Sequence, residues 1–110
     1  MSGVMKMNLD DVIFTNDESH GRFEAKVNGL TAFIKYRRSG ETITYIHTEV
    51  PAELEGQGLA AKMTRAVLDD ARTKQLKVVA LCPYVAGYIR KHAEYQDLLE
   101  TRFGSEKGKM

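Results

Sequence analysis

Two glycines and a cysteine are the residues of this chain best suited to do chemistry by their type and position. Gly56 and Gly58 stand in the run Glu55-Gly56-Gln57-Gly58-Leu59-Ala60, where a strand pattern gives way to a helical one. Backbone amides at a helix N-terminus have no intrahelical partner and carry partial positive charge. Because glycine has no Cβ, a phosphate can approach those amides closely, and the run is therefore consistent with pyrophosphate binding. A tight turn without a ligand is the alternative.

Two common phosphate-binding motifs do not fit this run. The nucleotide P-loop requires a Gly-Lys-Ser or Gly-Lys-Thr ending, which the run lacks. The dinucleotide fingerprint Gly-x-Gly-x-x-Ala matches Gly56 to Ala61, but it requires an acidic residue at the end of the next strand, about 20 positions on. The next predicted strand, Lys77 to Leu81, has no acidic residue, so we reject dinucleotide binding.

Cys82 is the single cysteine of the chain, which excludes an internal disulfide. It follows a predicted strand and precedes Pro83, and proline suits the first position of a helix. Cys82 is therefore predicted at a helix N-cap, where unpaired amides and the helix dipole stabilise a thiolate, the nucleophilic form. The alternative is a small, buried and unreactive hydrophobic residue.

The elements before the glycines predict an antiparallel meander. Phe23, Ala25 and Val27 alternate with polar residues and run into Asn28-Gly29, which is a strong hairpin signal. The next two runs are separated by a second turn signal at Ser39-Gly40 and end before Pro51. A short strand around Val12 to Phe14 is expected to precede them.

The elements after the glycines change period. From Leu59, apolar residues recur at helical spacing and predict a long helix. Lys77 to Leu81 predicts a strand buried on both faces, and Pro83 opens a second helix. A meander followed by strand, helix, strand and helix predicts an α/β fold, with a mixed sheet and helices packed on it.

Length and charge limit the function further. The chain has 110 residues, so we expect one domain over residues 1–103 and a flexible tail over 104–110. A net charge of +1 argues against nucleic-acid or membrane partners. The longest apolar run, Val78 to Cys82, is far too short to span a bilayer. We expect a soluble, cytoplasmic protein, and because no three potential ligands stand at metal-binding spacing, no metal.

Three stretches of the chain resemble the GNAT acyltransferase superfamily. Glu55 to Ala60 is similar to its pyrophosphate loop, Arg/Gln-x-x-Gly-x-Gly/Ala, except that glutamate stands at the first position. Ile46-His47-Thr48-Glu49-Val50-Pro51 and Leu81-Cys82-Pro83-Tyr84-Val85 resemble a small single-domain subgroup with an active-site cysteine, as does the stretch from Lys91 to Leu99. The resemblance implies a minimal GNAT fold that binds acetyl-CoA, with the pyrophosphate on Glu55 to Ala60 and the pantetheine along His47 to Pro51, Val50 included.

The resemblance also implies roles for individual side chains. The acetyl group would pass to Cys82 and then to an amine, and His47 and Glu49, which share one strand face, would lie beside Cys82 and transfer protons. Tyr84 and Tyr88 are candidates to donate a hydrogen bond to the departing CoA thiolate. The alternatives are that His47 is a polar residue on a half-exposed strand face, that Glu49 is a solvated charge, and that Tyr84 and Tyr88 are a pair that faces the core. His20 and His92 have no comparable partners and are expected at the surface.

Glu55 places a carboxylate where the pyrophosphate would bind. We expect pyrophosphate binding to survive, because backbone amides supply most of it, but with a lower affinity. Two other functions stay open, namely a CoA- or acyl-CoA-binding module without turnover and an interaction domain. The acceptor amine is not identifiable from the sequence. Because only short loops join the elements, the site is expected to be open, which suits a macromolecular acceptor.

Overall fold

The computed structural model describes residues 12–100, which form one five-stranded sheet and two α-helices. The strand order is β1-β2-β3-β4-β5; neighbours are antiparallel except β4 and β5, which are parallel. The strands are β1 (Ile13–Asp17), β2 (Arg22–Val27), β3 (Leu30–Ser39), β4 (Thr42–Glu49) and β5 (Lys77–Ala80). The helices are α1 (Leu59–Thr73) and α2 (Pro83–Lys91), and short 3₁₀ turns span Glu18–His20, Ala52–Leu54 and Ala93–Leu98. The predicted order and mixed α/β class are confirmed.

The hairpin signal at Asn28-Gly29 is confirmed, because both residues adopt left-handed backbone angles between β2 and β3. The first strand extends to Asp17, beyond the predicted Phe14. The predicted tail, residues 104–110, lies outside the described residues, and the domain boundary at residue 103 stays a prediction.

One register shift decides which side chains of β4 meet the helices. Tyr36 of β3 pairs with Tyr45 and its neighbour Lys35 pairs with His47, so Ile46 is an extra residue on β4. A bulge of this kind reverses the inward and outward alternation beyond it. Ile43 and Tyr45 lie buried before the bulge, and the Tyr45 hydroxyl donates a hydrogen bond to the carbonyl of Val67 in α1 at 3.0 Å.

Beyond the bulge, Thr48 takes over the helix-facing side of β4. It pairs with Ile34, which is fully buried in the core. Because adjacent strand residues point to opposite faces, His47 and Glu49 lie on the other side of the sheet. We call this side the outer face; it carries His47, Glu49, Phe33 and Lys35, and the Phe33 and His47 rings lie 6.1 Å apart there.

β5 departs from the prediction of a strand buried on both faces. Val78 is fully buried, but Lys77 is exposed and Leu81, 61% exposed, lies outside the strand. The reason is that Val78 pairs with Ile43, which faces the core, whereas Val79 pairs with Thr44 on the less buried side. A run of apolar residues does not distinguish these two environments.

Gly21 links the 3₁₀ turn Glu18–His20 to β2 and contacts β3 closely. Its φ is +63°, its carbonyl accepts a 2.8 Å hydrogen bond from the Tyr36 amide, and an added Cβ would lie 2.5 Å from the Tyr36 carbonyl oxygen. We expect Gly21→Ala to lower the free energy of unfolding by about 3 kcal/mol, since backbone strain and steric overlap add. Urea denaturation measures this change.

Gly29→Ala is the matched control for this substitution. Gly29 has a similar φ of +80°, but no heavy atom would lie within 4 Å of its added Cβ. Only the backbone strain, about 1–2 kcal/mol, should then be lost. Equal losses in the two variants would show that contact with Tyr36 does not matter.

Candidate active site

The glycine run forms the connection between β4 and α1. The Leu54 side chain is fully buried and anchors this connection to the core. Gly56 and Gly58 have φ of +78° and +85°, in the left-handed region that favours glycine. The amide of Lys62 donates to the carbonyl of Gly58 at 3.0 Å, which begins the helical hydrogen bonds of α1. The amides before Lys62 therefore lack intrahelical acceptors and form a positively polarised end.

A cleft of about 450 Å³ opens beside this helix end. Its walls come from the end of β4, the glycine loop, the first turn of α1 and the start of α2. The lining residues are Thr48, Val50, Leu54, Glu55, Gly56, Gly58, Leu59, Ala60, Ala61 and Tyr84. Most of the predicted cofactor-binding residues thus line one cavity, and Gln57 and Tyr88 are the two outside this set. An apolar cleft that ends at a helix N-terminus suits a ligand with an apolar arm and a phosphate group.

β4 and β5 separate at the inner end of this cleft. Their pairing ends at Tyr45 and Ala80, and the amides of Leu81 and Cys82 both donate to the carbonyl of Tyr45, at 3.0 and 2.9 Å. In the part of the chain that the structure describes, β4 beyond Tyr45 pairs with β3 alone. The separation leaves a wedge between β4 and the start of α2.

Cys82 lies at this wedge, at the N-cap of α2 as predicted, with Pro83 as the first helical residue. Its carbonyl accepts a 2.9 Å hydrogen bond from the Ala86 amide. Its side chain is buried, with 2% of the residue exposed, and its Sγ lies 3.2 Å from the Thr48 hydroxyl oxygen. Because Thr48 lines the cleft, the thiol lies directly behind the cleft wall.

His47 and Glu49 do not lie beside Cys82 as predicted. They contact each other, with 3.1 Å between His47 Nε2 and Glu49 Oε1, and their side chains are 56% and 61% exposed on the outer face. The bulge at Ile46 is the reason, because it turns Thr48 toward the thiol instead. Thr48 was not among the predicted site residues, because no local sequence pattern marks the extra residue.

The family of the chain follows from its similarity to known proteins. The model of the GCN5-related N-acetyltransferase family matches residues 22–98, a span that contains the loop, the wedge and Cys82. The chain belongs to this family, the GNATs. It is an acyltransferase.

A solved structure supports the same assignment for this GNAT. The NMR solution structure of a GCN5-like protein from Staphylococcus aureus is similar to it, with a TM-score of 0.65 and 32% sequence identity over 86% of this chain and 91% of that one. Among curated proteins, no sequence matches the chain. The minimal GNAT fold predicted from the sequence is therefore confirmed.

The two candidate tyrosines of this GNAT have different surroundings. Tyr84 is 42% exposed and lines the cleft, and burial, with a smaller contribution from Tyr88, raises its pKa. Its phenol therefore keeps its proton at neutral pH. Tyr88 stacks on His92, with ring centroids 3.9 Å apart and an interplanar angle of 13°. Tyr84 is thus the tyrosine with access to the cleft.

His92 differs from its predicted place at the surface. It is half-buried, and its Nδ1 lies 2.8 Å from the carbonyl oxygen of Tyr88. His92 is the C-cap residue of α2, and its imidazole packs on the last turn of that helix. His20, in contrast, is exposed as predicted, and its Nδ1 lies 2.9 Å from Asp17 Oδ2.

Glu55 is exposed at the rim of the cleft and adopts an extended conformation. A carboxylate there is screened by water, so its repulsion of a bound phosphate is weak.

Within residues 12–100, no helix is long and apolar enough to cross a membrane, and no three His, Cys, Asp or Glu side chains are grouped to hold a metal ion.

Proposed function

We propose that this GNAT takes its acetyl group from acetyl-CoA and transfers it to an amine through Cys82. The observation that carries the proposal is the shared wall of the cleft: the glycine loop forms one end, and Thr48, in contact with the Cys82 thiol, lines the same cavity. Acetyl-CoA supplies an acyl group already activated as a thioester. The coarser assignment, an N-acetyltransferase, follows from the family itself.

The residues of the cleft fit this donor. The amides at the start of α1 would hold the pyrophosphate, and the space beside Gly56, where an added Cβ would meet no atom within 4 Å, leaves room for close approach. Val50, Leu59 and Tyr84 would contact the apolar arm. Glu55, at the rim, contributes no favourable charge, so backbone amides would supply most of the phosphate binding.

The chemistry assigned to Cys82 is a pair of acyl exchanges. Its sulfur attacks the thioester carbonyl, a carbon–sulfur bond to Cys82 forms and the bond to the CoA sulfur breaks. The thiol proton of Cys82 passes to the departing CoA sulfur, to which the Tyr84 hydroxyl donates a hydrogen bond. The amine then attacks the acetyl group, a carbon–nitrogen bond forms, and the Cys82 thiolate leaves. The proton of the amine passes to the Cys82 sulfur and restores the thiol, since His47 and Glu49 lie on the outer face, away from Cys82.

Direct transfer is the second candidate, and one observation favours it. Cys82 is 2% exposed and its sulfur contacts the Thr48 hydroxyl, an environment that also suits a packing residue. In that mechanism the amine attacks the bound thioester itself, and Cys82 only shapes the cleft. The two mechanisms share the donor and the acceptor class and differ in whether the protein becomes acetylated.

We expect acetyl-CoA to raise the melting temperature of the wild type and to acetylate amines in a panel of free amino acids and lysine peptides. Mass spectrometry of the panel and release of free CoA measure the transfer, and heat-treated protein is the control. A raised melting temperature without any acetylated amine or released CoA would indicate a binding module. An unchanged melting temperature with no product would support an interaction domain, and either result would overturn the proposal.

The cytoplasmic location expected from the sequence stays a prediction.

A further inference from the structure

A second concave surface lies outside the cleft beside the start of α1, which we call the donor cleft. It lies where β1 joins β2 and where the bulge of β4 lies. It has a volume of about 500 Å³, and its lining includes His20, Lys35, Arg37, Arg38 and Ile46. We call it the basic depression. Glu18 is the one carboxylate among its lining residues. The proposed binding of acetyl-CoA in the donor cleft makes no use of these cations.

Some cations elsewhere in the sheet and in α1 have acidic partners. Arg22 and Lys26 pair with Glu24, and Arg72 pairs with Asp97. Across residues 12–100, in contrast, no carboxylate lies within 4.0 Å of the charged groups of Lys35, Arg37 or Arg38; Arg38 contacts the Gly40 carbonyl at 3.4 Å. Three cations without acidic partners on one concave surface are complementary to an anionic ligand.

The depression is also placed next to the acyl-transfer site. Lys35 lies directly across from His47 in the β3–β4 ladder, and Ile46, which lines the depression, is two residues from Thr48 on the same strand. Two strand residues span about 7 Å. The wedge between β4 and α2 begins at Tyr45, the residue before Ile46.

We propose that the basic depression binds the acceptor of this enzyme and that the acceptor is a polypeptide segment with acidic residues near its reacting amine. This inference rests on the proposed function. The depression is lined mostly by exposed side chains, and a small anion would not be buried there to the extent that small-molecule sites require. A peptide would cover the depression with its own backbone and side chains, and so supply the contact area that a small anion lacks. A nucleic acid would need a longer row of cations than these three.

Binding can be measured separately from catalysis. The probe is a fluorescent peptide whose single lysine is already acetylated and is flanked by aspartate and glutamate, compared with versions flanked by glutamine or by arginine. Fluorescence anisotropy should show the acidic peptide binding the wild type about fivefold more tightly than the neutral one, an effect expected of a few exposed ion pairs. The difference should shrink as salt is added.

The decisive variant is the double substitution Lys35→Glu and Arg37→Glu. It should abolish the preference for the acidic peptide, whereas Lys26→Glu with Lys77→Glu, two exposed cations outside the depression, should keep it at the same change in net charge. Equal preference in both double variants would overturn the inference, as would an oligonucleotide that competes as strongly as the acidic peptide. Melting temperatures of both variants establish that they are folded.

The unacetylated peptides test the acceptor role. With acetyl-CoA, the wild type should acetylate the acidic peptide faster than the neutral one. The Lys35→Glu and Arg37→Glu variant should lose that difference, but it should still acetylate a simple amine and release CoA. Binding of the acidic peptide without its acetylation, while a simple amine is acetylated, would overturn the acceptor assignment alone. Failure of the wild type to bind acetyl-CoA or acetylate any amine would overturn the proposed function instead.

Discussion

Incubation with acetyl-CoA should add one acetyl group to the wild-type protein, and Cys82→Ala should accept none. The Cys82 thiol, at the N-cap of α2, is the proposed nucleophile, and removing it leaves no sulfur to form the acyl bond. Intact mass spectrometry, followed by peptide mapping, measures the bound group. Complete loss is expected because no other cysteine exists in the chain.

Thr48→Val is the matched control for this prediction. It removes the hydroxyl that lies 3.2 Å from the sulfur and keeps the shape of the side chain. We expect the acetyl group still to appear on Cys82, at a changed rate. An acetyl group found on a lysine, or full amine acetylation by Cys82→Ala, would contradict the intermediate and support direct transfer.

Gly56→Ala should weaken acetyl-CoA binding by about 30-fold. Its added Cβ would enter the open space of the cleft where a phosphate must approach the amides, and one lost charge-assisted hydrogen bond is worth about 2 kcal/mol. Isothermal titration calorimetry with acetyl-CoA measures the dissociation constant.

Gly40→Ala separates this effect from backbone strain. Gly40 has a φ of +58° at the exposed β3–β4 turn, no atom would lie within 4 Å of its added Cβ, and it does not line the cleft. The two variants should lose similar stability, but Gly40→Ala should bind acetyl-CoA like the wild type. If both bound with unchanged affinity, the glycine loop would not hold the pyrophosphate.

The fold was predictable because its signals are local. Asn28-Gly29 marks a hairpin through the backbone freedom of two adjacent residues, and Pro83 marks a helix start through its own fixed φ. The burial of β5 was less predictable, since Val78 and Val79 are identical in type and differ only in which face they present.

The site was predictable in part. The loop residues from Glu55 to Ala60 are contiguous, and all but Gln57 line the cleft that the family resemblance implied. The positions of His47 and Glu49 relative to Cys82 were not, because they depend on the pairing of β3 with β4. The basic depression was not predicted either, since Lys35 and Arg37 join His20 only when β3 passes the end of β2.

The amino-acid sequence by itself determined the order of the elements, the glycine loop at the start of α1 and the N-cap position of Cys82. Each of these depends on residues adjacent in the chain, whose backbone preferences act directly. The tertiary structure alone decided that Thr48 meets the thiol and that His47 and Glu49 face outward. One extra residue at Ile46 inverts the alternation of β4, and that residue becomes extra only through hydrogen bonding to a neighbouring strand.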